Sequence, residues 1–248
     1  MSDRFVHEEH VWGTVVVIDI RLHRSGRHNL DKAIREVSEW LHDVDSVFST
    51  FKSDSIITLL RTGQISEDEV DAGVANVISR CRRMVDITEG AFDPWAVEGG
   101  FDPSGLVKGW AADRAAEILT EYGFHDFMIN AAGDLAIRGF VEPGTPWTIG
   151  IQHPHLPDQI SGSVELTDCA IATSGRYERG EHIVSPHGTP IVASSATVIG
   201  SDCATADALA TALLIAGRDG FQWFQRLPGW SGQIIIDDTV ISHGPSFD

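Results

Sequence analysis

INAAGDLAIRG, residues 129–139, reads as strand, glycine-bearing turn, strand, and it sets the fold class. Gly133-Asp134 between two short apolar runs is hairpin chemistry, because tight hairpin turns favour residues that tolerate left-handed backbone. Antiparallel pairing needs no crossover helix. Working outward, FMIN (127–130) and LAIRG (135–139) are joined by other short segments bounded by turn residues: WGTVVVIDI (12–20), WTIGI (147–151), GSVELT (162–167), AIATS (170–174), SATVIG (195–200) and QIIID (233–237). Helical periodicity occupies residues 29–47. A second helix is opened by a Ser66 to Glu69 capping box and carries Val70, Val74, Val77, Ile78, Cys81 and Val85 on one stripe. A third runs from Lys108 to Tyr122 and stops at Gly123, and a fourth is CATADALATALLIAG (203–217). Helices and strands are partly segregated, which favours α+β over a parallel doubly wound sheet. The expectation is a single domain, residues 1–248, of mostly antiparallel sheet with packed helices.

A chain of 248 residues buries a core without staples. Its 36 acidic side chains outnumber 18 basic ones, so the surface field repels nucleic acid and anionic lipid. An anionic ligand therefore needs local help. Cys81, Cys169 and Cys203 are odd in number and lack C-x-x-C spacing, which points to a reduced compartment rather than a disulfide framework or a zinc site. The N-terminal stretch MSDRFVHEEHVWGTVVVIDI carries charges where a signal peptide would be apolar, and no run reaches membrane-spanning length. A soluble, cytoplasmic protein without membrane insertion is expected.

Several segments carry chemistry. FDPSGLVKGWAADRAAEIL (101–119) places Asp102, Ser104 and Gly105 in a turn leading into a helix with Lys108 in its first turn. Free N–H groups there outline a phosphate site, and a cation near a helix N-terminus is unfavourable unless an anion sits beside it. A solvated lysine is the plainer alternative. In TEGAFDPWA (88–96), Asp93 is either a ligand for a ring edge or ribose, or the acceptor of its own turn. Asn130 and Asp134 are accounted for first by the hairpin, with a site role as the lesser alternative. ATSGRYERGEHIVSPHGTP (172–190) is the densest polar stretch, with Ser174, Arg176 and His182, where His182 is either structural or a base. His153 and His155 belong to a loop without further ligands at metal spacing. In CATADALATALLIAG, Thr205 is an N-cap candidate that puts Asp207 in the first turn, where an acid complements the dipole. Alternatively Asp207 and Thr211, four residues apart on one face, form a hard-oxygen pair suited to magnesium and completed by substrate phosphates.

Taken in order, VDSVFSTFKSDSIITLL, TEGAFDPWA, DPSGLVKGWAADRAAEIL, MINAAGDLAIRG, TSGRYERGEHIVSPHGTP and SATVIGSDCATADALATALLIAG resemble the motif series of the FAD:protein FMN transferases, the ApbE family. The likeness runs from about Trp12 to Ile241. It implies a Mg²⁺-dependent enzyme that cleaves FAD, attaches FMN by a phosphoester to a Ser or Thr of an acceptor protein, and releases AMP. By the family pattern Asp207 and Thr211 are side-chain ligands of Mg²⁺ and Gly105 contributes a carbonyl. Asp207 and His182 are then the catalytic pair, with His182 as base or electrostatic stabiliser. Lys108 and Asp102 face the phosphates, ribitol or nucleotide. Ala91, Phe92, Asp93, Ser174 and Val184 line the cofactor, with Trp12 and Phe51 against it. The chain departs from the pattern at Phe51 (commonly Tyr), Trp12 (often Met), NAAGD (usually Gly-Gly-Asp) and a shortened SPHGTP turn. An FAD pyrophosphatase and a non-catalytic FAD-binding protein are the competing readings.

Overall fold

Ten strands form among the residues described by the computed structural model, which are 3–22, 27–156, 158–175, 186–188 and 190–247. They are β1 (Asp3–Val11), β2 (Thr14–Leu22), β3 (Phe127–Ala131), β4 (Asp134–Arg138), β5 (Trp147–Gln152), β6 (Ile160–Leu166), β7 (Cys169–Gly175), β8 (Ser195–Gly200), β9 (Ser231–Ile236) and β10 (Thr239–His243). Eight make one sheet in the order β1-β2-β3-β4-β7-β8-β9-β10, with every pairing antiparallel. The β5–β6 pair stands apart as a second, two-stranded sheet. The helices α1 (Leu30–Phe48), α2 (Ile56–Arg61), α3 (Ala72–Ile87) and α4 (Ser104–Glu121) lie in the connection from β2 to β3, and α5 (Cys203–Ala216) lies between β8 and β9. The α+β class expected from the hairpin is therefore the one observed.

Alternation along the strands assigns the two faces of the sheet. Ala136, Ala170, Ala172, Ala196 and Val198 join the core shared with the helices, while their neighbours Ile137, Ile171 and Ile199 pack with Trp147 of β5 and Leu166 of β6. Small residues on the helix side let α4 and α5 lie close to the sheet and to each other. At Gly109 an added Cβ would stand 2.5 Å from the Cys203 carbonyl carbon, so the two helices meet backbone to backbone. That contact explains a glycine inside a helix, where it costs about 1 kcal/mol relative to alanine. Leu209, Leu213 and Leu214 anchor α5 at full burial. Truncating any of them to alanine should cost about 2–5 kcal/mol.

Three local expectations need correction. The β3–β4 turn is Ala132-Gly133, with φ of 59° and 99°, and Asp134 is already the first residue of β4. Since side chains alternate, that places Asp134 on the same face as Ala136, toward the helices. The N-cap of α5 is Asp202, whose carboxylate accepts from Thr205 N at 2.9 Å. Thr205 is thus inside the helix and Asp207 lies beyond its first turn. α4 spans Ser104–Glu121 with a kink at the non-helical Gly105, so Lys108 does fall in the first turn of the regular helix that follows. The Ser66–Glu69 box does form, with Glu69 Oε2 accepting from Ser66 N at 2.8 Å, but it closes a 3₁₀ turn; α3 is capped by Asp71, which accepts from Val74 N at 2.9 Å. Burial pushes the Cys81 thiol up to about 12 and the Cys169 thiol to about 11, so neither is a reactive thiolate. Among the described residues no helix is long and apolar enough to cross a membrane.

Candidate active site

The beginning of α4, the second turn of α5, the β3–β4 hairpin and the end of β7 converge on one cavity of about 480 Å³. Asp207 and Thr211 both line it, one turn apart on α5, and Asp207 is 5 % exposed. Lys108 reaches it from α4 and is 8 % exposed. Its Nζ lies 3.3 Å from Asp207 Oδ2, 3.3 Å from Asp134 Oδ2 and 3.2 Å from the Ser104 carbonyl. The plainer reading of Lys108 as a solvated lysine is therefore excluded. The dipole reading of Asp207 also falls, because the acid sits outside the first turn and is buried against a cation.

The oxygens around Asp207 are those a magnesium ion favours. Thr211 Oγ1 is 3.1 Å from Ser174 Oγ. Gly105 has non-helical angles, φ −83° and ψ 16°, at the start of α4, and a Cβ there would lie 3.2 Å from the Phe92 ring and 3.7 Å from Thr211 Oγ1. A side chain would press on Phe92, so glycine keeps this backbone beside the threonine hydroxyl. Carboxylate, hydroxyl and carbonyl oxygens form a hard donor set. The charges agree: Asp134 and Asp207 flank the ammonium of Lys108, and Asp93, Glu98 and Asp102 also line the cavity, so acids outnumber cations in its described lining. A pyrophosphate meets repulsion at such a centre unless a cation lies between them. The residues present thus fit Mg²⁺.

A larger cavity of about 820 Å³ adjoins the first and shares Thr50, Phe51, Ser104, Lys108 and Ala132 with it. Trp12, in the left-handed turn between β1 and β2, and Phe48 at the end of α1 give it an aromatic wall. Phe51 stands 98 % exposed where the two cavities join. A chamber with an aromatic wall next to a charged, oxygen-rich one suits an elongated ligand with a flat ring at one end and phosphates in the middle.

Ala91, Phe92, Asp93 and Asp102 line the smaller cavity. Asp93 Oδ1 accepts from Trp95 N at 2.9 Å, so the turn-acceptor reading holds for that oxygen while the residue still borders the cavity. Asp102 Oδ1 accepts from Ser104 N at 2.9 Å and Ser104 Oγ at 2.5 Å, fixing the turn that precedes α4. His182 and Val184, with Arg176, lie outside the described residues. His153 and His155 belong to a loop, His155 N donating to His153 Nδ1 at 3.1 Å, and no metal-binding group of three or more His, Cys, Asp or Glu occurs among the described residues. Asp134, explained first as hairpin chemistry with a site role as the lesser reading, is buried and paired with Lys108. Its one signal was a second acid near a glycine turn, which the hairpin alone already explained.

Known proteins resemble the chain over most of its length. The FAD:protein FMN transferase of Vibrio cholerae serotype O1 is 27 % identical over 244 residues, covering 74 % of this chain and 73 % of that protein. The solved structure of the flavin transferase ApbE from Vibrio cholerae superposes with a TM-score of 0.85 at 22 % identity, covering 100 % of this chain and 99 % of the other. The ApbE protein of Thermotoga maritima gives 0.84 at 24 % identity, covering 99 % and 98 %. These two structures share the fold. The ApbE family model matches residues 12–98 and 97–232, nearly the whole span over which the motifs run, and the chain belongs to the ApbE family.

Proposed function

We propose that this protein is a Mg²⁺-dependent FAD:protein FMN transferase, built as one domain over residues 1–248 and working in the cytoplasm on a Ser or Thr of an acceptor protein. The observation that carries the reading is the buried Asp134–Lys108–Asp207 group at the join of an aromatic cavity and an oxygen-lined one. The transferase relative from Vibrio cholerae supports it.

In this reading Trp12 and Phe51 hold the flavin ring, and Ala91, Phe92 and Asp93 border the rest of the dinucleotide, to which the family pattern also assigns Val184. Asp102 keeps the turn before α4 in shape, and Ser174 holds the Thr211 hydroxyl in place. Lys108 presents a fixed positive charge to the pyrophosphate, already oriented by two carboxylates and so needing little reorganisation during reaction. A magnesium ion held by Asp207, Thr211 and the Gly105 carbonyl would supply Lewis-acid stabilisation of charge on the phosphoryl oxygens. The acceptor hydroxyl oxygen bonds to the phosphorus of the FMN half, and the bond from that phosphorus to the bridging oxygen breaks. AMP leaves with the bridging oxygen. The hydroxyl proton passes to a base, assigned to His182.

The test incubates the protein with FAD, Mg²⁺ and a candidate acceptor domain, then measures AMP and flavin fluorescence on the denatured acceptor. Flavin retained on the acceptor with stoichiometric AMP is expected. AMP with free FMN would mean hydrolysis, and intact bound FAD would mean a binding protein; either refutes the transferase reading.

A further inference from the structure

We infer that Asp113 is a positioning residue, which pins α5 to α4 through main-chain hydrogen bonds and thereby sets the spacing between Lys108 and Asp207. The inference rests on the proposed metal and phosphate site. Asp113 lies on α4, and its two oxygens accept from two successive N–H groups of α5, Oδ1 from Cys203 N at 2.8 Å and Oδ2 from Ala204 N at 3.1 Å. The helix does not need it as an ordinary cap, because Asp202 already serves the next N–H, that of Thr205. Asp113 instead joins one helix to the backbone of another. Two acceptor oxygens on consecutive donors restrain both the rise and the rotation of α5, which a single contact would not.

The pin sits close to the chemistry. Gly109, beside Lys108, lies against the Cys203 backbone without room for a side chain, so the two helices have no slack between them there. Asp207 is one turn beyond Cys203, about 6 Å along the axis. Lys108 rides on the same helix as Asp113, and Asp207 and Thr211 on the helix it holds. A slip at the pin would therefore reach the 3.3 Å contact between Lys108 and Asp207 directly. Arg80 of α3 adds a second tie through Asp202 and Thr205, on a more exposed flank. Burial works against the Asp113 carboxylate and pushes it up to about 6, despite the two N–H donors that favour its charged form.

The test compares the wild type with Asp113→Asn, which keeps the side-chain volume but turns an amide NH₂ toward one of the two backbone N–H donors. Mg²⁺ is titrated calorimetrically into protein saturated with ADP as a pyrophosphate probe, well below the melting temperature. We expect Mg²⁺ affinity to fall about tenfold, as for residues that orient metal ligands, while the KM for FAD moves less than about twofold. Val77→Ala, in the α3 core, is the stability control and should lower the melting temperature without changing Mg²⁺ affinity. Should Asp113→Asn fail to fold, Asp113→Glu retains both acceptors on a longer arm and is expected to weaken Mg²⁺ binding in the same sense. Unchanged affinity in the Asp113 variants, or an equal loss in Val77→Ala, would overturn the positioning role and leave the metal site standing. A wild type that takes up no Mg²⁺ would overturn both.

Discussion

Replacing Lys108 with methionine removes the ammonium from between two buried carboxylates while keeping most of the side-chain volume. Lys108, Asp134 and Asp207 have side chains 10 %, 5 % and 7 % exposed, so solvent screens the loss poorly. Removing one partner of a buried ion pair costs about 3–5 kcal/mol, chiefly because the remaining charge is left uncompensated. For a chain of this size each kcal/mol lowers the melting temperature by about 2–4 °C, so Lys108→Met should melt about 6–20 °C below the wild type in EDTA. Mg²⁺ should return part of that. A ligand at a hundred times its Kd stabilises by about 2.7 kcal/mol, and the variant, with the ammonium gone from beside two carboxylates, should gain more from Mg²⁺ than the wild type does. The assay is calorimetric melting of both proteins at pH 8 in EDTA and in Mg²⁺. A loss below about 1 kcal/mol would refute the charge argument. So would a loss that Mg²⁺ leaves untouched.

Other outcomes follow from the same geometry. Asp207→Ala should abolish Mg²⁺-dependent AMP release, lowering it at least about a hundredfold, as loss of a metal ligand or transition-state donor does; undiminished release would remove Asp207 from the site. Ala132 holds φ at 59°, so Ala132→Gly should raise stability by about 1 kcal/mol in urea denaturation, and a destabilised variant would contradict the strain. The Ser38 hydroxyl, and after it the His7 and His42 imidazoles, hold Glu9 down to about 2 against the opposing effect of burial. A depressed carboxyl stabilises the fold above its unfolded value of about 4.5 and loses that contribution as pH falls toward 2. Glu9→Gln should thus be less stable than the wild type above pH 5 and converge with it near pH 2, whereas a pH-independent gap would count against this linkage.

The elements legible in the sequence are those with a clear apolar pattern. α1 and α3 carry apolar stripes at helical spacing, α5 is apolar on nearly every face, and the INAAGDLAIRG hairpin announced itself by its turn. The two strands that escaped, β1 (DRFVHEEHV) and β10 (TVISH), are the edges of the eight-stranded sheet. An edge strand pairs on one side only and is often charged, so it need not show the alternation that marks a half-buried strand. DRFVHEEHV instead places His7 and Glu9 where they bond to each other and to residues of α1.

Errors of one to three residues decided how the site was first read. Asp202 and Thr205 are both good cap residues in SDCATAD, and choosing the later one put Asp207 where a helix dipole would explain it. Assigning the hairpin turn one residue late hid the face on which Asp134 lies, and face alternates with every residue along a strand. The meeting of Lys108 with two acids from distant segments depends on α4 lying over β4 and beside α5, which local pattern does not encode. Family resemblance named Asp207, Thr211, Gly105 and Lys108 because it carries that long-range arrangement. Asp134 was only the lesser alternative to the hairpin reading, and the resemblance assigned it no role.

The central claim is that Asp207, Thr211 and the Gly105 carbonyl hold a divalent cation against the pyrophosphate of FAD. Its most direct test is anomalous diffraction from crystals grown with Mn²⁺ and FAD. The account predicts one strong peak within coordination distance of these three oxygens and the FAD phosphates, with the flavin beside Trp12 and Phe51. FAD bound without a peak there, or a peak coordinated by other residues, would contradict it.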